Sequence, residues 1–246
     1  MRILAVDTSG PVAGVAILND NRIVYEACAV TPHTHSVNEM PMVEEALIKT
    51  GLSLGDMDGI GVVTGPGSFT GVRLGVSMAK GMAHGSGLPC VAIDGLEALA
   101  SGFSGFTGII CPIMDARAGQ VYCAAFRPGL PPLRLMEDAA MKLTDYVALL
   151  QNASEKEKGG ALLFVGDGVA AYQAEIAERL HERAVFASPA NCYLRAANVA
   201  LLAQAYFDKR VEYTELMPMY LRAPQAERQR AAKEAAERNE KDSHEQ

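Results

Sequence analysis

The sequence predicts a duplicated α/β protein: two subdomains of the order β-β-β-α-β-α that face each other across a cleft. Three observations predict it. Short apolar runs end in clusters of Gly, Pro, Asn and Asp, where a helix would have continued its 3.6-residue period. One such run, Ile60-Gly61-Val62-Val63, passes through the glycine turn of Gly65-Pro66-Gly67-Ser68-Phe69-Thr70-Gly71-Val72-Arg73-Leu74-Gly75 into a helix-like segment. The same order of run, acidic turn, run and later glycine turn then recurs. Asp7 precedes Gly65 by 58 residues, and Asp115 precedes Gly166 by 51.

Ile3 to Val6 has no helical period and is closed by the turn residues Asp7-Thr8-Ser9-Gly10-Pro11. Val12 to Leu18 and Ile23 to Val30 follow, joined by Asn19-Asp20-Asn21, so the opening reads as an antiparallel meander. Asn38 is placed to cap a helix in which Met42, Val43, Ala46 and Leu47 recur at helical spacing up to Gly51. Ile60 to Val63 is a buried strand, Thr70 to about His84 a helix, Pro89 to Ile93 a strand, and Asp94 to Ala100 a helix capped by its own Asp. In the second half, Ile109 to Met114, Asp115 to Gly119 and Val121 to Phe126 parallel the opening. Leu162 to Val165, Gly166-Asp167-Gly168 and a helix from about Val169 to Leu180 parallel the glycine turn and its helix. Gly102 to Gly108 is the expected hinge, which sets the subdomains at 1–104 and 105–222. From 223 to 246 the chain carries Ala, Glu, Arg, Lys and Gln without an apolar stripe, so a solvated, fraying helix or a disordered tail is expected there.

Bulk properties narrow the functional classes. The 246 residues are 49% hydrophobic and 21% charged, ordinary for a globular protein with ample core. A net charge of −7 argues against a chain that grips nucleic acid by itself, which takes a basic footprint. Cys28, Cys90, Cys111, Cys123 and Cys192 are scattered, mostly in apolar runs, and read as reduced, buried thiols. No window approaches 18 consecutive apolar residues, and Asp7 interrupts the N-terminal run that a signal peptide would need. A soluble, cytoplasmic protein is expected.

Few residues offer chemistry. Asp7, Thr8 and Ser9 after the first strand are how actin-like ATPases and sugar kinases present a phosphate- and metal-facing turn, although Thr and Ser also satisfy turn backbone on their own. With Gly166 and Gly168 they form the candidate nucleotide-binding set. The glycine stretch at 65–75 lacks the Lys-Ser/Thr of a Walker loop and the spacing of Gly-x-Gly-x-x-Gly. His33 and His35 have no third ligand nearby, and His84, His181 and His244 read as a helix-end residue and two surface residues. Asp56/Asp58 and Glu44/Glu45 read as solvated. No nucleophile elbow or Cys/His pair is present, so no catalytic residue is nominated. Along the helix after the glycine turn, Gly71, Gly75 and Ala79 recur every four residues, and Leu74, Met78 and Met82 mark a neighbouring face. A helical glycine costs about 1 kcal/mol relative to alanine, so close backbone approach is expected along that face. With Met40, Met42 and Leu47 of the preceding helix, the methionine-rich surface suits contact with a partner. The candidate interface set is Met42, Leu47, Gly71, Leu74, Gly75, Met78, Ala79 and Met82.

Ile3-Leu4-Ala5-Val6-Asp7-Thr8-Ser9, His35-Ser36, the Gly65–Gly75 stretch, Ala79-Lys80-Gly81, Leu96-Glu97-Ala98-Leu99-Ala100, Asp115-Ala116-Arg117 with Val121-Tyr122, and Pro218-Met219-Tyr220-Leu221-Arg222 together resemble the TsaB (YeaZ) family. The likeness runs over about 1–222. It implies an actin/hexokinase-like (ASKHA) fold of two duplicated subdomains. It also implies a role in making N6-threonylcarbamoyladenosine at position 37 of tRNAs that read codons beginning with A. In that pathway TsaB is the non-catalytic partner of its paralogue TsaD, the ATPase TsaE joins the pair, and tRNA is met only through the complex. TsaD carries a His-x-x-x-His metal motif, and the resemblance sets Gly95 and Leu99 where those histidines would be. Neither can ligate a metal, so no metal is expected and the metallopeptidase label of the wider family lacks a basis here. The resemblance implies no cofactor of the chain's own, with ATP or ADP allowed at the partner interface, and a homodimer when the chain is alone. The rival reading is an ATP-using small-molecule kinase or nucleotidase of the same fold.

Overall fold

In a computed structural model of the protein, residues 1–30, 35–156 and 160–222 are described. The first half runs β1 (Arg2–Asp7), β2 (Ala13–Asn19), β3 (Arg22–Ala29), α1 (His35–Thr50), β4 (Gly59–Gly65), α2 (Phe69–Ser86), β5 (Cys90–Asp94) and α3 (Gly95–Ser101). The second runs β6 (Ile109–Asp115), β7 (Gln120–Arg127), β8 (Leu133–Lys142), α4 (Leu143–Lys156), β9 (Leu162–Val165), α5 (Gly168–Leu180), β10 (Ala184–Phe186) and α6 (Ala196–Ala205). Each half forms a five-stranded sheet, β3-β2-β1-β4-β5 and β8-β7-β6-β9-β10, so the strand orders correspond one to one. Within each sheet the first three strands are antiparallel, and the fourth and fifth join in parallel. Each half is thus β-β-β-α-β-α-β-α: the closing strand and helix expected at 89–100 of the first half recur in the second as β10 and α6, and extend the β-β-β-α-β-α repeat by one unit.

Three apolar cores define five layers. Leu4, Val6, Ile60 and Val62 of the first sheet bury against Val43 and Ala46 of α1 and Val72, Val76 and Ala79 of α2. Ile113, Cys123 and Phe164 of the second sheet do the same with Val147 of α4 and Ile176 of α5. The third core lies between the sheets. Ile3, Ala5 and Ile93 face Ile110, Phe126 and Val165 across Leu96 and Leu99 of α3 and Val199 and Ala203 of α6. Strands packed on both faces need unbroken apolar runs, which is why Ile3 to Val6 shows no alternation.

The two middle helices are exchanged. α3, from the first half, packs on β6 and β7, and α6, from the second, packs on β1, β2 and β4. A Cβ at Gly61 would lie 2.7 Å from the Ala203 methyl and one at Gly14 3.3 Å from that of Ala196, so small residues let α6 approach the first sheet. The boundary at 104/105 separates the sheets, but the chain beyond about 195 returns to the first of them.

Local signals account for most element ends. Asp94 caps α3 by accepting from the Glu97 N–H at 2.9 Å. Ser68 caps α2 through the Gly71 N–H at 3.3 Å, so that helix starts one residue before the expected Thr70. Asn38 lies inside α1 and not at its cap, because the helix already begins at His35. Asp56 and Asp58 are exposed, as expected, and also accept backbone N–H bonds from Ser53 and Arg2 at 2.8 and 2.7 Å. The tail at 223–246 and His33 and His244 lie outside the described residues.

Candidate functional site

A cleft of about 650 Å³ opens between the halves at the carboxyl ends of β1, β4, β6 and β9, where open α/β sheets place their ligands. Asp7 and Ser9 line it from β1, Pro66 to Thr70 from the start of α2, Asp115 to Arg117 from β6, and Asp167 from the turn after β9. Tyr122, Leu99 and Tyr193 add walls, and Met219 to Arg222 form one side. The duplication is legible in the geometry. Asp7 and Asp115 end equivalent strands, and Gly65 and Gly166 end the next pair with φ of 139° and 113°, a region that strongly favours glycine. At both positions a Cβ would collide with a backbone carbonyl, that of Met219 or of Ile113.

Of the expected nucleotide set, the structure brings Asp7 and Ser9 to the cleft. The Asp7 carboxylate accepts the Ser9 N–H at 2.9 Å, and Ser9 O takes the Ser68 N–H at 2.7 Å, tying the β1 turn to the start of α2. Ser9 Oγ is buried without a hydrogen-bond partner among the described residues. Thr8 turns away from the cleft and donates to the Gly71 carbonyl at 2.7 Å, so it serves helix packing. Gly166 and Gly168 lie beneath the lining, against the Ile113 backbone, and Asp167 between them is the group that reaches the cleft. Burial pushes the Asp167 carboxyl up to about 6, with the Asp115 charge adding to the rise, although the Asp115 N–H donates to it at 3.2 Å. Asp115 also accepts from Tyr172 Oη at 3.2 Å and from the Arg117 N–H at 2.8 Å. Asp167 lies in the turn that the sequence offered to a nucleotide, whereas Arg117, Arg222 and Tyr122 were not nominated as site residues. The repeat of Asp7 in Asp115 was the signal that could have found their turns.

Among the described residues no group of three His, Cys, Asp or Glu stands close enough to hold a metal ion. Gly95 and Leu99 are both buried on α3, and Leu99 lines the cleft with a side chain that holds no lone pair. Cys90, Cys111, Cys123 and Cys192 are buried, with burial raising each thiol above its ordinary range (Cys90 to about 11), and Cys28 is exposed. The cleft can orient a polar ligand between carboxylates and guanidinium groups, and its described residues include no paired nucleophile and base.

Helix α2 carries three faces of different use. Gly71, Gly75, Ala79 and Met82 turn inward: a Cβ at Gly71 would strike the Thr8 carbonyl oxygen, one at Gly75 would lie 2.7 Å from Thr8 Oγ1, and Ala79 and Met82 are buried in the core. These four do not form an outward surface: Gly71 and Gly75 admit the chain's own β1 turn, and Ala79 and Met82 pack in its core. A second face is covered by the segment 211–222. Val211 pairs with Cys90 through two backbone bonds, Tyr213 stacks on His84 at 4.9 Å, and Lys80 Nζ donates to Leu216 O at 3.1 Å. Farther along, Met219 N donates to Thr64 O at 2.7 Å and Arg73 Nε to Tyr220 Oη at 2.7 Å, with Phe69 4.9 Å from the Tyr220 ring. Arg222 then crosses to the second half and donates to Ala116 O at 3.2 Å. The third face, Leu74, Met78, Gly81 and Gly85, points outward, with both glycines open. On α1, Met42 and Leu47 pack partly on the core, and the exposed apolar residues are Val37 (62%), Met40 (46%) and Ile48 (71%).

Comparison with known proteins agrees with this architecture. A family model described as TsaD, tRNA N6-adenosine threonylcarbamoyltransferase, matches residues 27–230. The Bacillus subtilis tRNA threonylcarbamoyladenosine biosynthesis protein TsaB is 34% identical over 92% of this chain and 96% of its own length. The Escherichia coli TsaB is 39% identical over 52% of this chain and 55% of that protein. YeaZ from Pseudomonas aeruginosa superposes with a TM-score of 0.72 at 25% identity, covering 89% of this chain and 99% of that one. A second Pseudomonas aeruginosa structure, described as similar to the peptidase YeaZ, gives 0.74 at 26% identity, covering 90% and 99%. Full-length likeness of sequence and of fold, together with the duplicated sheets and the cleft at their carboxyl ends, shows that the chain belongs to the TsaB (YeaZ) family.

Proposed function

We propose that this chain is a partner subunit, without catalysis of its own, for threonylcarbamoyl transfer to adenosine 37 of tRNAs reading codons that begin with A. It acts by pairing with its paralogue TsaD in the cytoplasm. The observation that carries the reading is exposed apolar surface on both helices: Val37, Met40 and Ile48 on α1, and Leu74 and Met78 on the α2 face that holds the open Gly81 and Gly85. Small residues there let a second helix pair approach closely, and methionine side chains adapt to its shape. A paralogue offers matching helices, so the same face pairs two copies of this chain when the partner is missing. TsaE joins the assembled pair, and tRNA is met through the complex, in keeping with the chain's charge of −7. ATP or ADP enters at the partner interface, with Asp7 and Ser9 as this chain's lining residues.

The test is reconstitution of the tRNA modification from purified components with and without this chain, using wild type, Leu74→Glu and Met78→Glu. Both side chains are partly exposed, so the variants fold; they are expected to lose co-elution with the partner and at least tenfold in modification rate. Full modification without the chain, or unchanged co-elution, refutes the reading. A second reading, an ATP-using kinase or nucleotidase, is favoured by the cleft itself, since Asp7, Ser9 and Asp167 line one space. Titration of the isolated protein with ATP and magnesium separates the two: tight binding with turnover selects the enzyme.

A further inference from the structure

Away from the cleft, a second cluster of titratable groups joins the two halves. Arg134 lies on β8, the edge strand of the second sheet, stacked 4.7 Å above the Phe126 ring. Its guanidinium donates 3.0 Å to Asp94, at the end of β5 in the first half, and to Asp138 two pleats along the same inward face of β8. One guanidinium therefore holds the Asp94 and Asp138 carboxyls on its two sides. Glu97, one turn into α3, accepts from Tyr206 Oη, and Lys209 stands 4.4 Å over the Tyr206 ring. Three elements therefore meet: the β5–α3 junction brings Asp94 and Glu97, β8 brings Arg134 and Asp138, and the chain after α6 brings Tyr206 and Lys209.

The charge count does not balance at full ionisation. Three carboxyls face two cations in a half-buried setting, which disfavours the fully ionised cluster. Burial and the adjacent Asp94 push Asp138 up to about 8, the direction this count requires.

We propose that the cluster is a proton-dependent clasp between the halves: a proton on Asp138, across the Arg134 guanidinium from Asp94, holds edge strand β8 on the α3 junction, and its loss frees that edge. Among the described residues β8 has β7 alone as a neighbour in its sheet, so its hold on the other half bears on how firmly the edge is kept. With the proton gone, the two carboxylates repel across the gap that Arg134 spans and the grip slackens.

Native-state hydrogen exchange of the full chain tests this, with amides of 133–142 followed at pH 6.5, 8 and 9.5 and rates corrected for the intrinsic pH dependence. In wild type, protection of β8 is expected to fall at least tenfold between the first and last pH while β6 holds. Asp138→Asn keeps an acceptor for Arg134 but cannot ionise, so its β8 protection is expected to stay level. Arg134→Gln is expected to expose β8 at all three values; where that variant fails to fold, wild type and Asp138→Asn decide the matter. Protection of β8 that is flat in wild type, or that falls equally in Asp138→Asn, overturns the clasp.

Discussion

Replacing Glu39 should stabilise the protein, and by an amount that depends on pH. Glu39, on α1, is 0% exposed, and among the described residues no side chain pairs with its carboxyl. Burial first, and the Asp7 charge second, raise its carboxyl from 4.5 to about 9. The sign follows from proton linkage. Below about 4.5 the folded and unfolded chains both hold the proton. Between 4.5 and 9 only the folded chain holds it, so stability falls as pH rises through that window. At pH 7 the unfolded chain gains roughly 2.5 pH units of ionisation that the folded chain forgoes, which at about 1.4 kcal/mol per unit is an upper figure of roughly 3 kcal/mol. Glu39→Gln removes the titration and keeps the shape. Glu39→Met also removes the buried polar atoms, adding a gain that does not vary with pH. Urea unfolding at pH 5, 7 and 8.5 is the assay. Glu39→Gln is expected to lie within about 1 kcal/mol of wild type at pH 5 and to gain about 1–3 kcal/mol at pH 7, and more at 8.5. A wild type–variant difference that is the same at all three values refutes the argument, since a group that ionises normally in the folded chain leaves no such slope.

Other expectations follow from contacts named above. Gly71→Ala places a methyl against the Thr8 carbonyl, and the displaced backbone should cost on the order of 2–3 kcal/mol, read as a lower urea midpoint with an unchanged slope; Gly81→Ala, in open space, should be neutral or slightly stabilising. Tyr220→Ala removes the ring between Phe69 and the Arg73 donor, and limited proteolysis should then cut 211–222 faster than in wild type, with global stability lowered by only about 1 kcal/mol. Met82→Glu, unlike Met78→Glu, should fail to fold, because Met82 is core and Met78 is partly exposed; equal solubility of the two would contradict the assignment of faces on α2.

Much of the architecture was legible because it rests on local signals. Turn residues at Asn19-Asp20-Asn21, a capping Asp94 and unbroken apolar runs each act within a few residues, and the repeated order of runs exposed the duplication. The site was less legible. Asp7 and Ser9 could be nominated as acid and hydroxyl at a strand end, but Arg117, Asp167 and Arg222 enter the cleft only because three distant segments converge there. Thr8 shows the limit of spacing arguments: its hydroxyl has the right type and position for the cleft, and rotates instead to the Gly71 carbonyl.

What the sequence determined by itself was the elements of the first half, the duplication and the division of α2 into faces, since the 3.6-residue period sorts residues relative to one another; β8, α4, β10 and α6 of the second half were not read from it. It could not say which face turns inward. The small-residue stripe of Gly71, Gly75 and Ala79 suits a partner helix or the chain's own backbone equally well, and only the approach of the β1 turn decided for the latter. The same holds for the exchange of α3 and α6 between the sheets, the strap along α2, and the burial of Glu39 beside Asp7. Each depends on which surfaces, far apart in the chain, exclude water together, and that is a property of the packed tertiary structure.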